Sequence, residues 1–179
     1  MSVYSKFVRF YRVLFDKVSH WLVPFVLFGF RLQIANVFLA SGLSKWNGFF
    51  QFNADKYDLF LYEFFCPDPI RPGALLLCNP DTLDYEPGST MIGFIEFLAV
   101  MAGVVEVALP ILLIVGLLSR FASIGLIGMT LFIQLAVFPE WGHWVNPASW
   151  WFGALMVLLV FGPGKFSLDR FIGLEKKSE

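Results

Sequence analysis

Charge is scarce in this chain. Asp, Glu, Lys and Arg make up only 15% of its 179 residues and sum to a formal net charge of −1, where an ordinary soluble domain is about a quarter charged. So little charge gives nucleic acid no basic face to bind and leaves a disordered chain without its usual composition, and both classes are excluded. Cysteine is scarce too. Cys66 and Cys78 are the only two, which excludes a disulfide-dense secreted scaffold. The two histidines, His20 and His143, supply no pair within the apolar segments to hold a haem. No phosphate-binding P-loop, dinucleotide glycine fingerprint, H-E-x-x-H or G-x-S-x-G occurs, so none of those cofactor or nucleophile chemistries is carried by the chain.

What is abundant is apolar surface, with 58% of residues hydrophobic and 18% aromatic. A helix crosses a bilayer with about 20 mostly apolar residues, and four windows meet that requirement: 25–44, 91–118, 121–139 and 145–161. The pattern predicts one all-α membrane domain over 1–179, a four-transmembrane-helix bundle with spans 25–46, 89–118, 121–139 and 145–162. The second span exceeds the bilayer and should tilt or project. A long loop, 47–88, and a tail, 163–179, complete the organisation.

The few charges are not evenly placed. Lys6, Arg9, Arg12 and Lys17 precede the first span, Arg120 sits between the second and third, and Lys165, Arg170, Lys176 and Lys177 follow the fourth. Segment 46–90 holds Lys56 and Arg71 against Asp55, Asp58, Glu63, Asp68, Asp81, Asp84 and Glu86. The positive-inside rule then puts both termini in the cytoplasm and the loop outside. Within 2–22, Val3, Phe7, Phe10, Tyr11, Leu14, Phe15, Val18, Trp21 and Leu22 share one helical arc. Ser5, Lys6, Arg9, Arg12, Asp16 and Lys17 share the opposite one. This predicts an amphipathic helix in the inner headgroup layer, broken by Pro24 before the first span. A signal peptide is the rival reading, but no A-x-A cleavage pattern follows. Ser89 is expected to cap the second span, Asn146-Pro147 to open the fourth, and Gly162-Pro163-Gly164 to end it.

Ionisable groups at bilayer depth each need a partner, water or a function. The candidates are Arg31 and Lys45 in the first span, Glu96 and Glu106 in the second, and Gln134 in the third. Arg31 and Lys45 are about 21 Å apart along a helix and Glu96 and Glu106 about 15 Å apart, each pair within one broad face. Antiparallel spans then predict Lys45 with Glu96 near the outer surface and Arg31 with Glu106 deeper, with Gln134 at the depth of the outer pair. Pro110 frees the carbonyl of Glu106, and that group needs Arg31, a water or a ligand. These pairs read equally as devices that fix helix register. Lys45, near the interface, reads first as a snorkelling lysine.

His143 lies among Trp141 and Trp144 on the outer side. One histidine is not a metal site, and interfacial hydrogen bonding is the expected role, so no metal is assigned. Trp141, Trp144, Trp150 and Trp151 read as an interfacial aromatic belt that secondarily walls a slot for a flat ligand such as a quinone head group. In an exported loop, Cys66 and Cys78 are expected to form a structural disulfide contributing about 3 kcal/mol. The apolar run Tyr57, Leu59, Phe60, Leu61, Tyr62, Phe64 and Phe65 predicts a short surface helix or a cap over the bundle.

Three motifs in order resemble the DoxX family. They are Arg31-Leu32 with Gly42-Leu43-Ser44-Lys45, the run Glu106 to Arg120 (E … L-L-x-x-G-L-x-x-R), and Gly162-Pro163-Gly164-Lys165-Phe166-Ser167-Leu168-Asp169. The likeness covers 27–45 and 91–171, and the N-terminal helix and long loop depart from it. It implies a four-helix bacterial or archaeal inner-membrane protein. Founding members are linked to quinone-dependent thiosulfate oxidation or quinol oxidase complexes, others to oxidative stress or copper-peptide maturation. Three functions follow as expectations. The first is a quinone-linked redox subunit that is not catalytic alone and works with a protein partner or as a homo-oligomer. The second is a non-enzymatic scaffold, for example in copper-peptide maturation or metal homeostasis, using Gly93, Gly103, Gly116, Gly125 and Gly128 for close helix contacts. The third is a small transporter.

Overall fold

The computed structural model describes residues 3–48 and 50–175, Val3 by its backbone alone. Ser2, the Val3 side chain, Lys176 and Lys177, which the sequence assigns to the amphipathic helix and the basic tail, lie outside the described residues. Among the described residues four helices are long and apolar enough to cross a membrane: Tyr4–Leu43, Thr90–Val115, Ser119–Val137 and Trp141–Phe161. The protein is a four-helix membrane bundle. Helix α1 (Val3–Leu43) packs on α3 (Thr90–Val115), α3 on α4 (Ser119–Phe132), α4 on α6 (Ser149–Phe161) and α6 back on α1. Leu27, Ile34, Ala35, Phe38, Leu113, Leu126, Leu155 and Leu158 fill the space between them.

Pro24 does not break α1, contrary to the sequence expectation. The helix runs through it for 41 residues, about 60 Å at 1.5 Å per residue. Proline costs a helix one hydrogen bond, which packing against neighbours can offset. Pro24 is buried, and Gly164 lies against it and Leu27 so closely that an added Cβ would come 3.2 Å from Leu27. Before Pro24 both arcs of the helix are largely exposed, from Tyr4 at 76% to Trp21 at 71%. No part of the described chain covers its apolar side.

The fourth span also starts differently. A turn, α5 (Trp141–His143), leads through a π-helical turn (Trp144–Ala148) into α6, with Asn146 in an extended conformation (φ −152°, ψ 114°) at the kink. Asn146 forms no side-chain cap; Ser149 bonds back to the Val145 carbonyl instead. Ser89 caps α3 through the Met91 amide, and α6 stops at Gly162 with φ +76°.

The segment between α1 and α3 is a folded cap. A short hairpin, β1 (Trp46–Gly48) with β2 (Gln51–Phe52), leads into α2 (Ala54–Asp58) and a π-helical continuation, Leu59–Phe64. Phe60, Leu61, Phe65, Cys66 and Tyr85 bury themselves against Ile95 and Ala99 of α3, making a second core. A disulfide joins Cys66 and Cys78, with Cα atoms 5.6 Å apart.

Candidate functional site

Helices α1 and α3 come into close backbone contact at Gly42. A Cβ there would sit 2.7 Å from the backbone carbon and oxygen of Glu106, so only glycine lets the two backbones meet at this level. The carbonyl freed by Pro110 therefore faces Gly42 rather than a charged partner. This contact fixes the register of the buried ions. Lys45, in the turn after α1, folds back onto the Glu106 carboxylate and donates also to the Ser41 hydroxyl at 3.1 Å. Both side chains are under a tenth exposed. The sequence pairing is corrected in both halves: Lys45 binds Glu106, not Glu96, and Arg31 does not reach Glu106. Glu96 lies exposed in the second turn of α3. Helix spacing alone could not show this, because the register comes from a backbone contact and from a chain reversal after Leu43.

Eleven residues below Gly42, the same register brings Arg31 to the C-terminus of α3. Its Nε donates to the Leu113 carbonyl at 2.8 Å and Nη2 to Ile114 at 2.9 Å, while Nη1 donates to Pro163 at 3.0 Å and Phe166 at 2.5 Å. The last carbonyls of a helix have no partner within it, and this one guanidinium satisfies two of them together with two from the tail. Gly116, at φ +74°, ends α3 where a Cβ would collide with Arg31 at 2.7 Å. The N-terminus of α4 has no capping side chain of its own, since Leu118 precedes it. Asp169, at the start of the short helix α7 (Leu168–Phe171), caps it from the tail, accepting from the amides of Leu118 at 2.7 Å and Ser119 at 2.8 Å. Sequence reading placed Asp169 in a motif without giving it this role; a helix start lacking its own cap was the signal.

At the loop end, α4 continues as a π-helical turn, Ile133–Val137. Gln134 is buried there, its Nε2 donating to the Glu140 carbonyl at 3.2 Å and its Oε1 2.6 Å from Nδ1 of His143. The amide orientation set by Glu140 makes Oε1 an acceptor, so Nδ1 carries the hydrogen and Nε2 of the neutral ring is left as an acceptor. Gln134 thus joins His143; no hydrogen bond connects it to Lys45 or Glu106 among the described residues. The His143 ring stacks on Phe138 at 5.0 Å and meets Trp151 edge-on at 6.3 Å, and Trp151 in turn packs on Phe38 of α1 at 5.6 Å. Of the tryptophans, Trp141 is 75% exposed, while Trp150 and Trp151 pack against the bundle core and Trp144 against Phe152. Of the four belt candidates only Trp141 is exposed, because Trp150 and Trp151 follow the kink at Asn146 onto the inner face of α6.

Arg71, which sequence reading counted only as a loop charge, latches the cap to this site. It donates to the carbonyls of Glu63 at 2.8 Å and Val137 at 3.3 Å and lies 4.5 Å over the Phe138 ring. Its signal was a lone arginine in an acidic loop.

A family model described as DoxX matches residues 26–139. The chain belongs to the DoxX family. No curated protein and no solved structure matches it. The DoxX match spans α1 from residue 26, the cap, α3 and α4, so Arg31, Lys45, Arg71, Glu106 and Gln134 all fall within it, while His143 and Asp169 lie beyond. Among the described residues of this DoxX-family chain, no three of His, Cys, Asp and Glu converge as metal ligands would.

Proposed function

We propose that this protein is the membrane subunit of a quinone-linked redox system, seated in an inner membrane with its termini in the cytoplasm and its cap outside. The observation that carries this reading is the Gln134–His143 pair. A neutral imidazole with Nδ1 tied to an amide and Nε2 free is an acceptor for a hydroxyl proton, and Phe138 and Trp151 offer it flat walls. A quinone head group would bind against those rings with one oxygen at Nε2, its quinol hydroxyl donating to the neutral ring and its quinone carbonyl accepting from the protonated one, and would supply the two-electron, two-proton chemistry. His143 takes up or returns the proton at that oxygen, and Gln134 holds the ring in the tautomer that permits it. The electrons pass to or from the redox centre of a protein partner. Basic residues at the end bearing the termini, with acidic residues and a disulfide at the other, support the orientation.

The test uses the quenching of tryptophan fluorescence by a short-chain quinone, because Trp151 touches His143. Quenching should saturate in the purified protein and need at least tenfold more quinone in His143→Phe, with the melting temperature unchanged. Linear, unsaturable quenching in the unaltered protein, with no quinone extracted from it, sinks the reading. A second reading is an accessory protein that docks a partner through the cap, favoured by the cap's own core and by exposed Tyr62, Ile70 and Leu75 on it. It predicts that a partner co-purifies in mild detergent and is lost when the cap is altered, whatever stands at His143.

A further inference from the structure

A cleft of about 460 Å³ opens at the end of the bundle that carries the termini, between α1 and the chain that follows α6. Its lining divides in two. Val23, Pro24, Leu27 and Phe161 form an apolar wall, and Asp16, His20, Lys165 and Arg170 a polar rim. The division falls at 23–27 of α1 and at 161 of α6, where the apolar windows of those spans begin and end, so the cleft straddles the boundary between acyl chains and headgroups. On the rim, Lys165 Nζ lies 3.1 Å from His20 Nε2, so two nitrogens meet at one point. The Arg170 side chain makes no hydrogen bond or ion pair among the described residues. Glu175, which also lines the cleft, is held by Arg120, its Oε1 2.6 Å and Oε2 3.2 Å from the guanidinium, and its charge is thereby offset. That leaves Lys165 and Arg170 positive and Asp16 negative around the opening.

We infer that this cleft binds one phospholipid of the adjacent leaflet, its phosphate on Lys165, which His20 steadies, and on Arg170, its acyl chain along Val23, Leu27 and Phe161, and an amine-bearing headgroup on Asp16. Charge-assisted bonds from a lysine and an arginine suit a phosphate diester. The apolar wall distinguishes a lipid from a free anion, which has nothing to place there. The Asp16 carboxylate suits an ethanolamine ammonium over a neutral glycerol headgroup.

The test is native mass spectrometry of the full chain in mild detergent, titrated with short-chain phosphatidylethanolamine, phosphatidylglycerol or inorganic phosphate. One phosphatidylethanolamine should bind per chain, at least tenfold more tightly than to the Lys165→Gln/Arg170→Gln double variant, whose melting temperature without lipid is unchanged. Lys6→Gln/Arg9→Gln, which removes two charges from the exposed start of α1, should leave binding intact. Equal loss in that control would reveal general attraction and overturn the site, as would equal lipid binding by the Lys165/Arg170 variant. Inorganic phosphate binding as tightly as lipid would make this a free-anion site and overturn the lipid assignment. Asp16→Asn should erase the preference for ethanolamine over glycerol; a preference that survives removes Asp16 from the site.

Discussion

The bundle buries two cations, one on α1 and one in the turn that follows it, and it treats them oppositely. Arg31 at one end is 1% exposed and spends its donors on four backbone carbonyls. Lys45 at the other is 6% exposed and faces a carboxylate and a hydroxyl. Each stands near a glycine that admits it: Gly116 beside Arg31, and Gly42 against Glu106. The difference is chemical. Arginine stays protonated and its planar fork matches several fixed acceptors, which suits a staple between chain segments. Lysine with glutamate is a pair in which both members can exchange protons, and whose worth lies in the pairing.

The largest effect should come from Arg31→Met. The carbonyls of Pro163, Ile114 and Phe166 lose this donor, the last two only partly buried, and that of Leu113 keeps only the Gly116 amide. At about 1–3 kcal/mol for each buried group left unpaired, the protein is expected to fail to assemble or to lose most of its stability, measured by thermal unfolding in detergent. Arg31→Lys should rescue little, since one ammonium cannot span the same four acceptors; full rescue would show that charge alone matters there. Glu106→Gln should cost about 3 kcal/mol by stranding the Lys45 ammonium. Unlike Arg31, this loss should be reversible: adding Lys45→Met to Glu106→Gln is expected to recover most of it. A double variant as unstable as the sum of both single changes would erase the contrast between the two ends.

The two glycines allow a finer comparison. Gly42→Ala should cost about 1–3 kcal/mol by forcing α1 from α3. Gly116→Ala should cost more, because left-handed strain adds to the collision with Arg31. Equal losses would mean that backbone conformation contributes nothing at Gly116. The smallest effect belongs to the cap. Burial, with Tyr62 adding, pushes the Tyr85 phenol up to about 12, while its hydroxyl donates to the Leu61 carbonyl at 2.7 Å. An acid whose ionisation is harder in the folded state stabilises it fully below about pH 10. That stability is lost as pH rises through about 12. Tyr85→Phe should cost about 1 kcal/mol at neutral pH and flatten the alkaline limb of a melting curve followed against pH.

The four spans were legible because the bilayer imposes length and apolarity on any helix that crosses it. Arg31, Glu106, Lys45 and Gln134 were legible as buried polar groups for the same reason, since in an apolar run each stands out. Their partners were not. Which carboxylate Lys45 meets depends on where two backbones touch, and a single glycine among the fifteen in the chain decides it. Pro24 was misread because proline's local penalty says nothing of the Gly164 surface that receives it. Arg71 and Asp169 were missed because they act on backbone groups, which no side-chain pairing rule reveals.

The tail beyond α6 gives the assembly an order in time. Pro163, Phe166 and Asp169 leave the ribosome after all four spans, yet they complete the acceptor set of Arg31 and cap the start of α4. Until they arrive, a guanidinium sits half-satisfied among apolar helices, and α4 has no cap. The groups that close this end of the bundle are thus made only once every span has been synthesised, which ties the finished packing of α3 and α4 to a segment that crosses nothing.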